Sequence, residues 1–267
     1  MLSVFMLLYL MFLNCTKIAK TIQIVILPLS INLFFSIFMV IFTGILKYFI
    51  KMTNSSMVVL FDFDGVIMDT ETHYTNFWDS VGEKYLNKSG FGMTVKGQSL
   101  KLIYGKYFTG EFEKLIPEMT EMIDDMELNM TYEYVPGAKE LIVDLKKNGI
   151  RMAIVTSSDD RKMDLVYKQH PDLPGLFDYI VTANQFTHSK PHPECYQIAM
   201  LKLNVKPNQA VVFEDSIYGI KSGTDAGAFV VGVATTNGRE QIEGITNHVI
   251  DDFTEMDALK LKSIITK

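Results

Sequence analysis

Asp62 and Asp64 lie at the end of the apolar run VVLF, and Gly65 follows them. Two carboxylates at the tip of a strand can hold a cation or attack an electrophile. Alternate residues of a regular strand face opposite ways, so both aspartates can reach one substrate only if the chain turns directly after Asp62. Gly65 permits such a turn. The pair therefore predicts a strand-end site that binds a cation, attacks an electrophile, or does both.

From Val135 onward, helical patterns alternate with short apolar runs that are typical of strands. This alternation predicts a parallel sheet with helices on both faces. In such sheets, ligands bind beyond the carboxyl ends of the strands. Polar residues follow three of the runs at that end: Asp62 and Asp64 after VVLF, Thr156, Ser157 and Ser158 after MAIV, and Glu214 and Asp215 after AVVF. We expect these residues to converge on one cleft.

The carboxylates of this cleft would repel one another unless a cation lies among them. A set of oxygen ligands favours a hard ion, and Mg²⁺ is the usual one. The predicted metal ligands are Asp62, Asp64, Glu214 and Asp215. Because Mg²⁺ commonly shares its coordination shell with phosphate oxygens, the site should bind a phosphoryl group.

Basic and hydroxyl side chains complete the predicted site. Lys190, in the loop HSKPHPE, would neutralise phosphate oxygens, and the hydroxyl groups after MAIV would orient them. Asp62 would attack phosphorus and form an aspartyl phosphate, while Asp64 would protonate the leaving oxygen and later accept a proton. His188 and His192 flank Lys190, and we expect them to be solvated, because no further His or Cys completes a metal site.

Residues 72–132 form a predicted all-helical insert. Apolar residues recur there at helical spacing, and the aromatic and methionine stripes are expected to form its core rather than a cofactor site. The stretch KSGFGMTVKGQ (88–98) is predicted to be a loop. Lys96, within this stretch, is a candidate substrate contact, with a solvated charge as the alternative.

The composition excludes some classes of partner. The 267 residues carry a formal net charge of -6, and residues 1–56 contain four lysines and no acid, so the rest of the chain is clearly acidic. Nucleic-acid binding relies on clustered Lys and Arg, so we expect no nucleic-acid partner. The two cysteines, Cys15 and Cys195, exclude a disulfide framework and fit a reducing interior.

Residues 1–51 form an apolar leader that admits two interpretations. Residues 21–46 carry no charge and are long enough to cross a bilayer, so they are a transmembrane candidate. The lysines after this segment would then favour a membrane-anchored protein with a cytoplasmic domain. Alternatively, translation starts near Met52 or Met57, the leader is a mis-called start, and the protein is cytoplasmic without a membrane partner. In either case we expect a monomer.

In its motifs and their order, the chain resembles the haloacid dehalogenase superfamily, in particular the helical-cap branch close to β-phosphoglucomutase and sugar-phosphate phosphatases. The motifs are DFDGV (62–66), VTSS (155–158), SKPHPE (189–194) and FEDS (213–216). The resemblance covers about residues 57–267. It implies an α/β fold, a Rossmann-like doubly wound parallel sheet with a small all-helical cap domain inserted after the first strand. The core domain would comprise residues 57–71 and 133–267, and the cap residues 72–132.

The same resemblance implies a role for each motif residue. Asp62 would be the nucleophile, Asp64 the general acid/base and a metal ligand through its backbone carbonyl, and Lys190 the neutralising cation. The other predicted site residues are Thr156, Ser157, Gly65 and Lys96 for substrate or phosphate, and Glu214 with Asp215 for Mg²⁺.

The second aspartate argues for phosphorus chemistry, because the dehalogenases of the superfamily lack it. We favour a phosphatase acting on a small phosphorylated metabolite, a sugar phosphate, over a mutase of the β-phosphoglucomutase type. Leu100 stands where those mutases have an arginine that grips the second phosphate, and Asp160 stands where they tend to carry an asparagine. A third alternative is a non-catalytic binding or membrane-tethered protein that retains the fold.

Overall fold

The computed structural model of the protein describes residues 57–266. The leader predicted at residues 1–51, with its candidate transmembrane segment, lies outside the described residues. Within residues 57–266, no helix combines the length and the apolar composition needed to cross a bilayer. The described residues belong to one compact unit, Asn54–Lys267.

A parallel sheet forms the centre of this unit, and its six strands among the described residues follow the order β3-β2-β1-β4-β5-β6. The strands are β1 (Val58–Phe61), β2 (Arg151–Val155), β3 (Tyr179–Val181), β4 (Ala210–Glu214), β5 (Phe229–Val233) and β6 (His248–Ile250). The chain moves outward from β1 to β3 and then crosses back to β4, on the other side of β1. The strand order therefore switches between β1 and β4, which is where sheets of this kind bind ligands.

Helices lie on both faces of the sheet, and four of them follow β1 and precede β2 in the chain, before the helix that leads into β2. The helices are α1 (Glu71–Val81), α2 (Phe91–Val95), α3 (Leu100–Tyr107), α4 (Ile116–Asn129), α5 (Ala138–Lys147), α6 (Asp160–Gln169), α7 (Leu173–Leu176), α8 (Glu194–Lys202), α9 (Ile217–Asp225), α10 (Arg239–Ile242) and α11 (Ala258–Ile265). A π-helical turn (Gly82–Leu86) follows α1, and 3₁₀ turns occur at Gly110–Leu115, Ala183–Gln185, Pro207–Gln209 and Glu243–Ile245.

Alternate residues of each strand enter two apolar layers, one on each face of the sheet. Phe61 and Phe213 lie in the layer shared with α5, α6 and α11, where their rings stack with centroids 5.1 Å apart. Leu60 and Val212 lie in the opposite layer, with α8 and α9. Strands buried on both faces require near-continuous apolar runs such as VVLF. The predicted α/β class with a doubly wound parallel sheet is confirmed.

Helices α1 to α4 form an all-helical cap with its own apolar core, as predicted for the insert after the first strand. Trp78 lies in this core, with ring centroids 6.1 Å from Phe91 and 6.0 Å from Phe108. The aromatic stripe therefore forms the apolar core of the cap, in agreement with the expectation from helical spacing.

Two connecting segments join the cap to the sheet, and they lie side by side. The backbone N–H of Asp69 donates to the carbonyl of Glu133 at 2.8 Å, and the N–H of Val135 donates to the carbonyl of Ile67 at 3.0 Å. These bonds form a short paired link between the two parts. The boundaries drawn at residues 72 and 132 stay a prediction.

The prediction that residues 88–98 are a loop is wrong in part, because α2 lies within them. Phe91 and Val95 are four residues apart and both are buried in the cap core. Gly92 lets α2 approach α1 closely, since a Cβ there would lie 2.2 Å from the carbonyl oxygen of Thr75. Glycine and threonine lower helix propensity in this segment, and tertiary packing overrides that preference.

Candidate active site

The chain turns sharply after β1. The N–H of Asp62 donates to the carbonyl of Phe213 at 3.0 Å, which extends the pairing with β4 by one residue. Gly65 then adopts φ = +76°, a conformation that favours glycine. A Cβ at this position would lie 2.0 Å from Oδ2 of Asp215. Gly65 thus serves the site through its backbone, and the turn leaves Asp62 and Asp64 lining one cleft.

Lys190 is buried at the centre of the site. Its Nζ donates to Oδ1 of Asp62 at 2.7 Å, to Oε1 of Glu214 at 2.6 Å and to the carbonyl of Val155 at 3.2 Å. Burial alone would lower the pKa of Lys190, but the charges of Asp62 and Glu214 outweigh burial and raise this pKa above its ordinary value. Lys190 therefore stays positively charged.

Asp62, Glu214 and Asp215 concentrate negative charge beside Lys190. All three are buried, and their carboxylate oxygens lie within 4.8 Å of one another. Burial and the charge of Glu214 raise the pKa of Asp62 to about 7, although Lys190 opposes the shift. Burial, Glu214 and Asp62 raise the pKa of Asp215 well above its ordinary value. The cluster holds more negative charge than Lys190 balances, so a bound cation would be stabilised there.

Asp215 is well positioned to share such a cation with Asp62. The hydroxyl of Thr236 donates to Oδ2 of Asp215, and Nδ2 of Asn237 donates to its backbone carbonyl at 3.0 Å. These bonds fix the carboxylate at the tip of β4. An ion between Asp62 and Asp215 would have oxygen ligands, which is the set that Mg²⁺ prefers.

Glu214 was predicted as a metal ligand, but its carboxylate oxygens already accept several hydrogen bonds. Oε1 accepts from Lys190 at 2.6 Å and from the hydroxyl of Tyr196 at 2.7 Å. Oε2 accepts from the N–H of Asp215 at 3.1 Å and from the N–H and hydroxyl of Ser216 at 3.3 and 3.1 Å. This geometry favours a role in holding Lys190, and direct contact of Glu214 with Mg²⁺ stays a prediction.

Asp64 lies in a hydrogen-bond network separate from that of Asp62. Its Oδ1 accepts from the hydroxyl of Thr70 at 2.6 Å and from Nζ of Lys162 at 2.5 Å, and its Oδ2 accepts from the hydroxyl of Ser158 at 2.9 Å. Burial would raise the pKa of Asp64, but the charge of Lys162 and these hydrogen bonds outweigh it and lower the pKa below its ordinary value. Asp64 is therefore ionised in this arrangement.

Lys162 is a site residue that the sequence analysis missed. It lies on α6, is 3% exposed, and its Nζ lies 4.7 Å from the centre of the Tyr74 ring. The available signal was its position beside Met163 and four residues before Val166, both buried positions of the same helix. A lysine on the buried face of a helix close to the VTSS motif is a candidate partner for a carboxylate.

The hydroxyl residues after β2 occupy different positions. Thr156 is fully buried, and its Oγ1 accepts from the N–H of Ser158 at 2.9 Å. This hydrogen bond stabilises the loop that follows β2. Ser157 and Ser158 line the cleft. The structure thus brings Ser157 to the predicted position, and the phosphate-binding roles of Thr156 and Ser157 stay predictions.

The cleft lies between the strand ends and the cap and has a volume of about 400 Å³. Lys96 lines it from the end of α2, as do Leu100 from α3 and Glu71 from α1. Burial and the charge of Asp64 raise the pKa of Glu71 to about 7, while Lys96 and Lys162 oppose this shift. Lys96 therefore reaches the predicted cleft, and Glu71 is an acidic neighbour that the sequence analysis did not include.

Polar contacts connect the cap to the core around this cleft. Arg161 of α6 contacts Oε2 of Glu127 at 2.5 Å and Oδ1 of Asp124 at 2.7 Å, both on α4. The hydroxyl of Tyr74 donates to Oε1 of Glu127 at 2.6 Å. On the opposite rim, Nζ of Lys101 donates to the carbonyl of Thr187 at 3.2 Å. These contacts hold the cap and the core together at the rim of the cleft.

Comparison with known protein families agrees with this arrangement. The sequence model of the haloacid dehalogenase-like hydrolase family matches residues 59–233, which include the strand ends, Lys190 and the cap. The chain belongs to this family. The predicted superfamily and the prediction of a hydrolytic enzyme are confirmed.

Two sequence relatives illustrate the similarity. The chain is 31% identical over 180 residues to a phosphorylated carbohydrates phosphatase of Thermotoga maritima. The aligned region covers 63% of this chain and 81% of the relative. It is also 31% identical over 189 residues to the pyrophosphatase PpaX of Bacillus cereus. This aligned region covers 69% of this chain and 87% of the relative.

Solved structures show the same architecture. A haloacid dehalogenase hydrolase of family IA, variant 3, from Entamoeba histolytica superposes with a TM-score of 0.67 at 25% identity, covering 79% of this chain and 100% of that chain. The beta-phosphoglucomutase of Clostridium difficile superposes with a TM-score of 0.64 at 24% identity, covering 78% and 96%. The latter similarity bears on the fold alone.

Proposed function

We propose that the protein is a Mg²⁺-dependent phosphatase that acts on a small phosphorylated metabolite through an aspartyl phosphate on Asp62. The observation that carries this proposal is the strand-end cluster, in which Asp62 accepts a 2.7 Å hydrogen bond from buried Lys190 beside the carboxylate of Asp215. The names of the sequence relatives, a phosphorylated carbohydrates phosphatase and a pyrophosphatase, support the same class of reaction.

In the first step, an oxygen of Asp62 attacks phosphorus, and the bond from phosphorus to the leaving oxygen breaks. In the second step, water attacks the aspartyl phosphate, releases inorganic phosphate and restores Asp62. Lys190 offsets the negative charge of the phosphoryl group throughout. The carboxylates of Asp62 and Asp215 and the backbone carbonyl of Asp64 would hold Mg²⁺, which supplies further positive charge next to the phosphate oxygens.

Asp64 moves the protons in this proposal. It must be protonated to give a proton to the leaving oxygen, and ionised to take one from water in the second step. Lys162, Thr70 and Ser158 hold the ionised form in the described arrangement. The first step therefore requires the contact with Lys162 to lengthen when substrate binds, since its loss raises the pKa of Asp64.

The proposed substrate is a sugar phosphate with one phosphate group. Glu71 lines the cleft and can serve as a hydrogen-bond partner for hydroxyl groups. The cleft offers little to a second phosphate at the two positions compared with mutases. Leu100 presents an aliphatic side chain to the cleft, and Oδ1 of Asp160 already accepts a 2.6 Å hydrogen bond from Thr182. These observations favour a phosphatase over a mutase.

A substrate screen tests the proposed reaction. Full-length protein would be incubated with a panel of phosphorylated metabolites in Mg²⁺ and in EDTA, and both free phosphate and isomerised hexose phosphate would be measured. We expect phosphate release in Mg²⁺ and none in EDTA. Isomerisation without phosphate release would support the mutase instead, and the absence of either product across the panel would support a binding protein.

The Asp62→Asn variant tests the covalent step. The substitution keeps the shape of the side chain but removes the nucleophilic oxygen, so we expect phosphate release to fall by at least about a thousandfold with an unchanged circular-dichroism spectrum. Asp69→Asn is the matched control, because Asp69 is exposed and lies close by in the sequence. Substantial turnover by Asp62→Asn would exclude the aspartyl phosphate.

A further inference from the structure

His188, His192 and Glu194 form a second group of potential metal ligands, on the surface of the loop that carries Lys190. Their ligand atoms lie within 4.8 Å of one another. The sequence analysis expected both histidines to be solvated, because no third His or Cys accompanies them. The fold supplies a carboxylate as the third ligand, since the first turn of α8 brings Glu194 back beside the histidines.

The distances in this group fit a small transition-metal ion. Nδ1 of His188 lies 2.8 Å from Oε2 of Glu194, and Nδ1 of His192 lies 4.0 Å from the same oxygen. Two ligands of a tetrahedral Zn²⁺ site, each about 2.0–2.2 Å from the ion, are about 3.4 Å apart. The observed pair of distances lies on either side of this value, so small side-chain rotations would suffice.

Backbone hydrogen bonds hold the three residues in place. Glu194 accepts from the N–H of Thr187 at 3.1 Å and from the N–H of His188 at 2.8 Å, which fixes its carboxylate toward the loop. The N–H of His192 donates to the carbonyl of Ser189 at 3.1 Å, and the hydroxyl of buried Ser222 donates to the carbonyl of His192 at 2.7 Å. The site is thus largely formed before any ion binds, which lowers the entropy lost on binding.

The ligand atoms are also in suitable chemical states. Nδ1 of His192 accepts a long hydrogen bond of 3.3 Å from the N–H of Glu194, so this nitrogen carries a lone pair. Both carboxylate oxygens of Glu194 accept backbone hydrogen bonds, from the N–H of Thr187 and the N–H of His188, as an ionised carboxylate does. An ion would replace the proton that His188 shares with Oε2 of Glu194, and solvent would complete its coordination.

From these observations we infer that His188, His192 and Glu194 form a surface site for a borderline transition-metal ion of the Zn²⁺ class, separate from the carboxylate cluster at Asp62. Imidazole nitrogens select such ions over Mg²⁺, which prefers oxygen ligands. The bound ion would tie the loop around Lys190 to the first turn of α8.

Zinc binding by full-length protein tests this site. After treatment with a chelator and its removal, Zn²⁺ would be titrated against a colorimetric zinc indicator in excess Mg²⁺, which keeps the carboxylate cluster occupied. We expect one Zn²⁺ per chain. Replacing His188 or His192 with Gln should weaken binding by at least about tenfold, since loss of an outer contact alone changes metal affinity on that scale. Zn²⁺ should also raise the melting temperature of the wild type but not of the double variant His188→Gln with His192→Gln.

Two control variants locate the ion. His73→Gln changes a histidine on α1 that is not part of the group and should bind Zn²⁺ like the wild type. Asp215→Asn changes the carboxylate cluster and should retain the zinc site. The inference is overturned if the wild type binds no Zn²⁺ in Mg²⁺, if the double histidine variant binds as tightly as the wild type, or if Asp215→Asn abolishes binding.

Discussion

Asp62 and Asp64 are separated by one residue, but each is paired with a different buried lysine. Lys190 contacts Asp62 at 2.7 Å, and Lys162 contacts Asp64 at 2.5 Å. Their environments shift the two acids in opposite directions: burial and the charge of Glu214 raise the pKa of Asp62, while Lys162 lowers that of Asp64. The proposed attack by Asp62 requires its ionised form, and a cation bound between Asp62 and Asp215 would lower the pKa of Asp62 and favour that form.

The Lys162→Met variant tests whether this second lysine positions Asp64. Methionine keeps most of the length of the side chain but removes the hydrogen bond to Oδ1. We expect kcat to fall about 10- to 100-fold, a part of what general acid–base catalysis contributes, because without Lys162 the pKa of Asp64 rises and Asp64 no longer takes a proton from water in the second step. KM should change little. Steady-state kinetics on the substrate found in the screen would measure both constants.

Lys168→Met is the matched control for this substitution, because Lys168 lies on the same helix and is exposed. Its kinetic constants should equal those of the wild type. Lys162→Arg retains a cation and should recover part of the lost kcat. If Lys162→Met leaves kcat unchanged, or changes KM alone, the positioning role is wrong.

Glu71 makes the stability of the protein depend on pH. Its pKa in the fold is about 7, above the ordinary value of 4.5, because of burial and the charge of Asp64. The folded state therefore binds more protons than the unfolded state between these values, and the free energy of unfolding should fall as the pH rises through this window. For this half-buried residue we expect a fall on the order of 1–2 kcal/mol.

The Glu71→Gln variant isolates this effect. Glutamine resembles the protonated acid, so the variant should match the wild type near pH 4.5 and be more stable above pH 7. Urea unfolding at both ends of the window, in EDTA, would measure the difference. Glu83→Gln is the control at an exposed position of the cap. A wild type and Glu71→Gln with parallel pH profiles would contradict the assignment.

At the scale of elements, α6 connects Asp64 to the cap. Lys162 faces Asp64, and its neighbour Arg161 contacts Glu127 and Asp124 of α4. The side chain of Glu127 is 4% exposed and also accepts from Tyr74. One turn of helix therefore contacts both Asp64, the proposed acid/base residue, and the cap helix α4.

Arg161→Met should loosen this connection. The substitution leaves the carboxylate of Glu127 buried without its cation, which destabilises more than losing the pair as a whole. Because Arg161 is 44% exposed, we expect a decrease of about 1–2 kcal/mol in the free energy of unfolding. The double variant Arg161→Met with Glu127→Gln should recover part of it, as a double-mutant cycle in urea would measure. Additive effects of the two substitutions would show that the residues are not coupled.

The strand ends and the helix partners differed in how well the sequence predicted them. Asp62 and Asp215 were expected together because parallel strands bring their carboxyl ends to one edge, whatever their distance in the chain. Lys162 was not expected, because which helical lysine faces a carboxylate depends on how the helix rotates against the sheet. The hydrogen bonds that fill the carboxylate of Glu214 come from residues on three segments, and residue type alone did not predict them.

At the scale of the molecule, the core and the cap have separate clusters of buried apolar residues, and the half-buried Tyr74 and Met126 pack against both. The contacts around the cleft, by contrast, are polar, including Arg161 with Glu127 and Lys101 with Thr187. Polar contacts can exchange partners with water or substrate at low net cost, whereas apolar packing cannot. The polar contacts around the cleft can therefore rearrange without exposing the buried residues of either apolar cluster.

We expect Mg²⁺ binding at the carboxylate cluster to stabilise the whole described fold, because Asp62 and Asp215 lie at the ends of the central strands β1 and β4. Mg²⁺ at about 100 times its dissociation constant should add about 2.7 kcal/mol to the free energy of unfolding. For a domain of this size that corresponds to a rise of about 5–10 °C in the melting temperature. Calorimetry in Mg²⁺ and in EDTA would measure the difference.

Asp215→Asn should change this response in two ways. In EDTA the variant should melt at a higher temperature than the wild type, because a buried carboxylate that is crowded by Glu214 and Asp62 is removed. In Mg²⁺ it should gain little, because a ligand is lost. The opposite signs separate loss of the metal from general destabilisation, which would lower the melting temperature in both conditions. A variant that gains as much from Mg²⁺ as the wild type would place the ion elsewhere.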